Sequence, residues 1–182
     1  MIETNETVTS SKRIYEGRVI NLRIDTVLLP NGREATREIV EHSGAIAAVP
    51  MLGDGSIVLV RQHRQAAGGP LLEIPAGSVN TGEDIDECVR RELMEEIQLA
   101  PGKIQRLFSM FVAPGYSSEQ IHVYLARDLV QQKAAGDDDE FINIETLALD
   151  DALRKIDDGE IRDAKSIAGL LYVYRMQSSG EL

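Results

Sequence analysis

Glu92, Glu95 and Glu96 crowd a short segment, GSVNTGEDIDECVRRELMEEIQLA, that spans residues 77–100. Apolar residues recur there at Ile85, Val89, Leu93 and Ile97, a four-residue repeat that predicts a helix over 84–97. On that helix the three acids fall within about 100° of one another. Like charges so placed repel by roughly 0.2–0.5 kcal/mol per pair. Ile85, Cys88 and Val89 share the same sector one or two turns earlier, so the first half of the face can pack and the second half opens onto something that takes carboxylates. Arg91 stands four residues after Glu87 and four before Glu95, placed to bridge and orient them. Gly77 and Gly82 bracket a tight loop before the helix, where glycine permits close approach of backbone to a ligand. Three hard carboxylates in one patch suit Mg²⁺ or Mn²⁺, completed by water and by phosphate oxygens of a substrate. Such a site can polarise a phosphoryl group, activate water and offset leaving-group charge, the chemistry of phosphoanhydride hydrolysis. The plainer alternative is a solvated acidic face.

The rest of the chain must position that patch. Its 182 residues, 43% hydrophobic, fit one compact domain with a small appended element. A net charge of −11 argues against a broad grip on nucleic acid or an anionic membrane. Phosphate substrates stay open, because bound cations can invert the local field. Cys88 is the only cysteine, which suits a reducing compartment. The opening residues, MIETNETVTSSKR, are polar, and no run approaches the ~20 apolar residues of a membrane span. A soluble, cytoplasmic protein is expected.

The polar N-terminal dozen residues are expected to fray. Alternating stretches on either side of Pro30-Asn31-Gly32 predict a β-hairpin. Further strands are expected at 45–52, 56–64, 71–77, 106–112, 120–129 and 141–149. Asp150 and Asp163 are expected to cap two later helices, the first stopping at Gly159. The expected fold is α/β, a sandwich of helices around a mixed sheet, with an antiparallel hairpin region at 1–43 and the main domain at 44–182.

The segment resembles the Nudix box, G-x5-E-x7-R-E-U-x-E-E-x-G-U with U bulky and apolar. Gly77, Glu83, Arg91-Glu92-Leu93, Glu95-Glu96 and Leu99 fill its places, and Gln98 departs from its last glycine. The resemblance implies a Nudix-type α/β/α sandwich in which Glu92 and Glu96 are the principal metal ligands. Glu95 would assist directly or through water, and the Ala76 carbonyl would complete the site. Arg91 and Glu83 would orient the ligands.

RQHRQAAGGPLLEIPAG and the Pro114 of VAPGYSSEQ are similar to the ADP-ribose and ADP-sugar pyrophosphatase branch, over most of residues 13–177. The implied substrate is a nucleoside diphosphate sugar, with Mg²⁺ or Mn²⁺ as cofactor. Arg64 would meet its diphosphate or ribose, and Pro114, Gly115 and Glu119 would lie along it. Glu73 would contact an adenine amino group, support the metal shell or serve as a structural ion pair. Tyr15, or a residue near His42, could reach the base from a second subunit, since relatives use the hairpin to form a homodimer. A general base is expected from GDDDE (136–140), at Asp138 or Glu140, with Glu119 as a third candidate. Other substrates of the same chemistry stay open: GDP-mannose, a dinucleoside polyphosphate or an oxidised nucleoside triphosphate. So does a domain that senses nucleotide sugars without turnover.

Overall fold

A computed structural model describes residues 4–132, 134 and 141–182. They divide into two compact units, one of residues up to 44 with 111–120, the other of 45–110 with 121–182.

In the first unit β1 (Thr7–Glu16), β2 (Asn21–Leu28) and β3 (Glu34–Glu41) form an antiparallel sheet in that order. The expected hairpin is β2–β3. Gly32 at its tip adopts φ +78°, and the amide of Arg33 donates to Asn31 Oδ1 at 3.1 Å. The expectation of a frayed N-terminus is corrected: β1 pairs with β2 from Thr7 opposite Leu28 to Glu16 opposite Asn21. Its residues are all exposed, so there was no alternation of burial for a pattern to reveal. Backbone pairing and ion pairs hold it instead, Arg13 and Arg23 sharing Glu41 and Arg37 meeting Glu6.

The second unit contains β4 (Ala45–Pro50), β5 (Ser56–Arg64), β6 (Gly69–Glu73), β7 (Ala76–Ser78), α1 (Ile85–Ile97), most of β8 (Leu99–Phe111) and β9 (Gln120–Gln131), β10 (Asn143–Ala148), α2 (Leu149–Asp157) and α3 (Ala164–Ser179). A mixed sheet runs β7-β4-β9-β8, with β4 parallel to β9 and antiparallel to β7. An antiparallel sheet runs β10-β5-β6. Every residue of β4 is buried, as a strand covered on both faces requires. Ala45, Ala47 and Val49 join Leu149, Ala152, Leu170 and Val173 on the side of α2 and α3. Ile46 and Ala48 join Cys88, Val89, Leu93 and Ile97 of α1. This is the expected α/β/α layering. Among the described residues no helix is long and apolar enough to cross a membrane.

Two boundaries differ from expectation. β8 begins at Leu99, not near 106, and runs through Pro101 and Gly102. It is an edge strand, where a missing N–H can be tolerated. Asp150 lies inside α2, whose cap position is Ala148 without a side-chain bond; the acid sits in the first turn, where the helix dipole favours it. Asp163 does cap α3, accepting from the Ser166 amide at 3.1 Å.

α1 starts where Asp84 accepts from the amides of Asp86 and Glu87 at 3.0 and 3.2 Å. It ends on Gln98 at φ 57°, ψ 33°, in the left-handed region. That conformation costs a side-chain-bearing residue about 1–2 kcal/mol, part of which glycine returns as unfolded-state entropy. Gln98→Gly is therefore expected to stabilise the fold by about 0.5–1 kcal/mol, read as a higher urea midpoint at unchanged slope.

Candidate functional site

β7, the loop after it and α1 bring the acids together through two neighbouring backbone positions. Glu96 is buried, 6% exposed, and its Oε2 accepts from the Ala76 amide at 3.1 Å. One helical turn earlier the Glu92 carboxylate rests on Gly77: a Cβ built there would lie 1.9 Å from Glu92 Cδ and 2.0 and 2.3 Å from its oxygens. Only glycine leaves that cradle open. Two carboxylates thus converge on consecutive residues of one short strand.

Arg91 ties the remaining acids to this pair. Its Nη1 donates to Glu92 Oε1 at 2.7 Å and to Glu95 Oε2 at 2.9 Å. Its Nε and Nη2 take both oxygens of Glu83 at 2.8 and 3.0 Å, a planar fork on a carboxylate. Glu83 Oε2 also accepts from the Asn80 amide at 2.9 Å, which fixes the loop against the helix. The Arg91 hydrogen bonds hold the Glu83 carboxyl down at about 2. Its pKa is depressed below the ordinary 4.5, so the clamp is complete above that pH and fades as pH falls toward 2. Cys88 packs beneath the clamp, and burial pushes its thiol up to about 12.

The donor set fits a hard divalent cation. Glu92, Glu96 and Glu95 with the Ala76 carbonyl supply only oxygen, and the open cradle at Gly77 admits a carboxylate close to backbone. Among the described residues no three acids are already closed into one coordination group. Glu92 and Glu95 are drawn to Arg91.

Arg64 and Glu73 form a second constellation. Glu73 is 1% exposed; Arg64 grips both its oxygens at 3.0 Å through Nε and Nη2. Lys165 Nζ bonds Glu73 Oε2 at 2.6 Å and Asp163 Oδ2 at 2.8 Å. Burial opposes the charge of Glu73, but the two cations more than offset it, and its pKa lies below the usual value. Of the readings open for Glu73, the structure displays the ion pair. Lys165 and Asp163 were not singled out for this network: they lie about ninety residues along the chain, and only the fold brings Lys165 to Glu73.

Pro114, Gly115 and Glu119 belong to the first unit. There the Val112 amide donates to the Glu119 carbonyl at 3.2 Å, and Val40 exchanges bonds with Tyr116 and Ser118 at 2.8 and 2.9 Å, stapling the loop to the end of β3. Tyr15 is exposed, and His42 Nδ1 accepts from the Gly44 amide at 3.0 Å. Asp138 and Glu140 lie outside the described residues.

Known proteins match this architecture. The NUDIX domain family matches residues 41–170, and the nucleoside diphosphate sugar hydrolase N-terminal domain matches 6–40. An ADP-ribose pyrophosphatase of Bacillus subtilis (strain 168) is 34% identical over 175 residues, covering 95% of each chain. A methanol dehydrogenase activator of Bacillus methanolicus is 38% identical over 170 residues, 92% of each. A crystal structure of an ADP compounds hydrolase superposes with a TM-score of 0.88 over the full length of both chains at 21% identity, a likeness of fold. With its acids, Arg91 clamp and Gly77 cradle in the places of the Nudix box, the chain belongs to the Nudix family.

Proposed function

We propose that the protein hydrolyses the diphosphate bond of ADP-ribose or a related ADP-sugar to AMP and a sugar phosphate, with Mg²⁺ or Mn²⁺ as cofactor. The observation that carries this reading is the convergence of Glu92 and Glu96 on Ala76 and Gly77, with Glu95 drawn in by Arg91. These three carboxylates and the Ala76 carbonyl would hold the metal. A divalent cation there supplies Lewis acidity toward the phosphoryl oxygens and neutralises leaving-group charge. Arg91, fixed by Glu83, keeps Glu92 and Glu95 oriented and limits their mutual repulsion. Glu95 assists at the metal, and Asp138 or Glu140, by resemblance to the family's acidic loop, takes the proton of the attacking water, with Glu119 as the third candidate.

Arg64 binds the diphosphate; Glu73 and Lys165 set its position, since Glu73 is buried behind it. Pro114, Gly115 and Glu119 line the substrate in this reading. We take 44–182 as the catalytic domain and 1–43 as the region that makes a homodimer. Support for the latter is the family match over 6–40 and the exposed Val8, Ile14 and Tyr15 of β1. A single cysteine supports a reducing, cytoplasmic setting.

Relatives of similar identity carry different names, so the products decide the substrate. Incubation with a panel of nucleotide sugars, dinucleoside polyphosphates and nucleoside triphosphates in Mg²⁺ and Mn²⁺ is expected to yield AMP and ribose 5-phosphate fastest, from ADP-ribose. A monophosphate with inorganic pyrophosphate as the main products, or binding without turnover, would overturn the reading.

A further inference from the structure

Side chains alternate along β9. Ile121, Val123 and Leu125 enter the core beside α2 and α3, whereas Tyr124 and Ala126 enter the core beneath α1. His122 therefore stands on the α1 face. Its ladder partner is Ile46, and Ile46 pairs on its other side with Gly77. Gly77, Ile46 and His122 form one row across three strands, the outer Cα atoms about 10 Å apart at ordinary interstrand spacing. Gly77 is the residue on which Glu92 rests.

β8 adds two polar groups to this face. Ile104 packs in the α1-side core, but the successive Leu107 and Phe108 both pack on the opposite side, with Met110. Two consecutive residues on one face mark a bulge, which shifts the alternation. Arg106 and Ser109, three apart, consequently meet on one side. Arg106 Nη2 lies 2.7 Å from His122 Nδ1 and 2.6 Å from Ser109 Oγ, and Ser109 Oγ lies 2.8 Å from the same ring nitrogen. A guanidinium only donates, so Nδ1 accepts and the ring proton resides on Nε2. Burial, then the Arg106 charge, lowers the His122 pKa and keeps the ring neutral.

Arg106 differs from Arg91 and Arg64 in its partners. Arg91 and Arg64 are gripped by carboxylates, whereas the hydrogen bonds of Arg106 go to a neutral imidazole and a hydroxyl. Among the described residues it makes no salt bridge. In a chain of net charge −11, an exposed arginine pinned by two neutral acceptors keeps its full charge and its other N–H groups for an incoming anion. The row through Ile46 places this cation, through His122, on the same face of the sheet as the Glu92 cradle.

We propose that Arg106, anchored by His122 and Ser109, receives a phosphate group of the substrate and so sets its binding. The inference rests on the hydrolase reading above and adds a phosphate-contacting residue to it.

The test combines steady-state kinetics with ¹⁵N-histidine NMR on the full chain, whose three histidines are assigned with His122→Gln. Arg106→Gln is expected to raise the KM for ADP-ribose about tenfold, as loss of a charge-assisted hydrogen bond would, with the loss falling on KM rather than kcat. Arg106→Lys should recover part of it. In the wild type, AMP or ribose 5-phosphate should shift the His122 signal at concentrations where inorganic phosphate does not, and Arg106→Gln should abolish the shift. A KM within twofold of wild type, no shift with either phosphomonoester, or a shift with inorganic phosphate alone would overturn the proposal. Should Arg106→Gln not fold, Ser109→Ala tests the same anchor and is expected to weaken the phosphomonoester shift; an unchanged titration would count against it. Failure of the wild type to cleave any nucleoside diphosphate sugar would sink the hydrolase reading instead, while the titration would still report on Arg106.

Discussion

Glu96→Gln is expected to lower turnover of ADP-ribose in Mg²⁺ by roughly 10²–10³-fold while leaving the protein folded, an effect of the size seen when a preorganised charge-stabilising group is lost. Glutamine has the shape of glutamate, and its amide oxygen can still accept from the Ala76 N–H that Glu96 Oε2 now takes at 3.1 Å. The packing of a side chain only 6% exposed is therefore kept. What disappears is one negative charge from a group of three. In the metal-free protein that loss relieves repulsion along α1, so the thermal midpoint without cation should hold steady or rise. With cation the sign reverses: wild type gains stability by mass action as the ion binds the native state, and the variant gains less. Two melting curves, with and without Mg²⁺, beside initial rates give the answer. Near-wild-type turnover in a folded variant would remove Glu96 from the metal site.

How far these features could be read in the sequence follows from which forces leave a local mark. The acids at 83, 92 and 95 sit at fixed spacings on one helix and its entry loop, so their meeting at Arg91 was legible in the chain. β4 was legible too, because a strand buried on both faces must be an unbroken apolar run. β1 was not: it buries nothing, and pairing with β2 leaves no period in TVTSSKRIYE. The β8 start was hidden by Pro101 and Gly102, which read as a break unless the strand is known to lie at an edge. The Lys165–Glu73 contact and the meeting of Arg106 with His122 depend on non-local topology and on a bulge. No spacing encodes either.

Gly77→Ala tests the seat of the Glu92 carboxylate without removing any charge. The new methyl would stand 1.9 Å from Glu92 Cδ, a distance no structure sustains, so one partner must yield. β7 is an edge strand but the firmer of the two, since Gly77 is paired with Ile46 of the buried β4 and flanked by Ala76, whose amide is held by Glu96. The Glu92 carboxylate is the far end of a flexible side chain and swings away at little cost, so destabilisation should stay near 1 kcal/mol. Displacing a metal-binding group by an ångström or more is another matter, and about a hundredfold loss in kcat/KM is expected. Shortening the displaced arm should give some of this back: Gly77→Ala with Glu92→Asp is expected to be more active than the product of the two single losses implies, the mark of two residues in direct contact. Strict multiplicativity of the two losses, or full activity in Gly77→Ala alone, would mean that the carboxylate does not work from the cradle in which it rests.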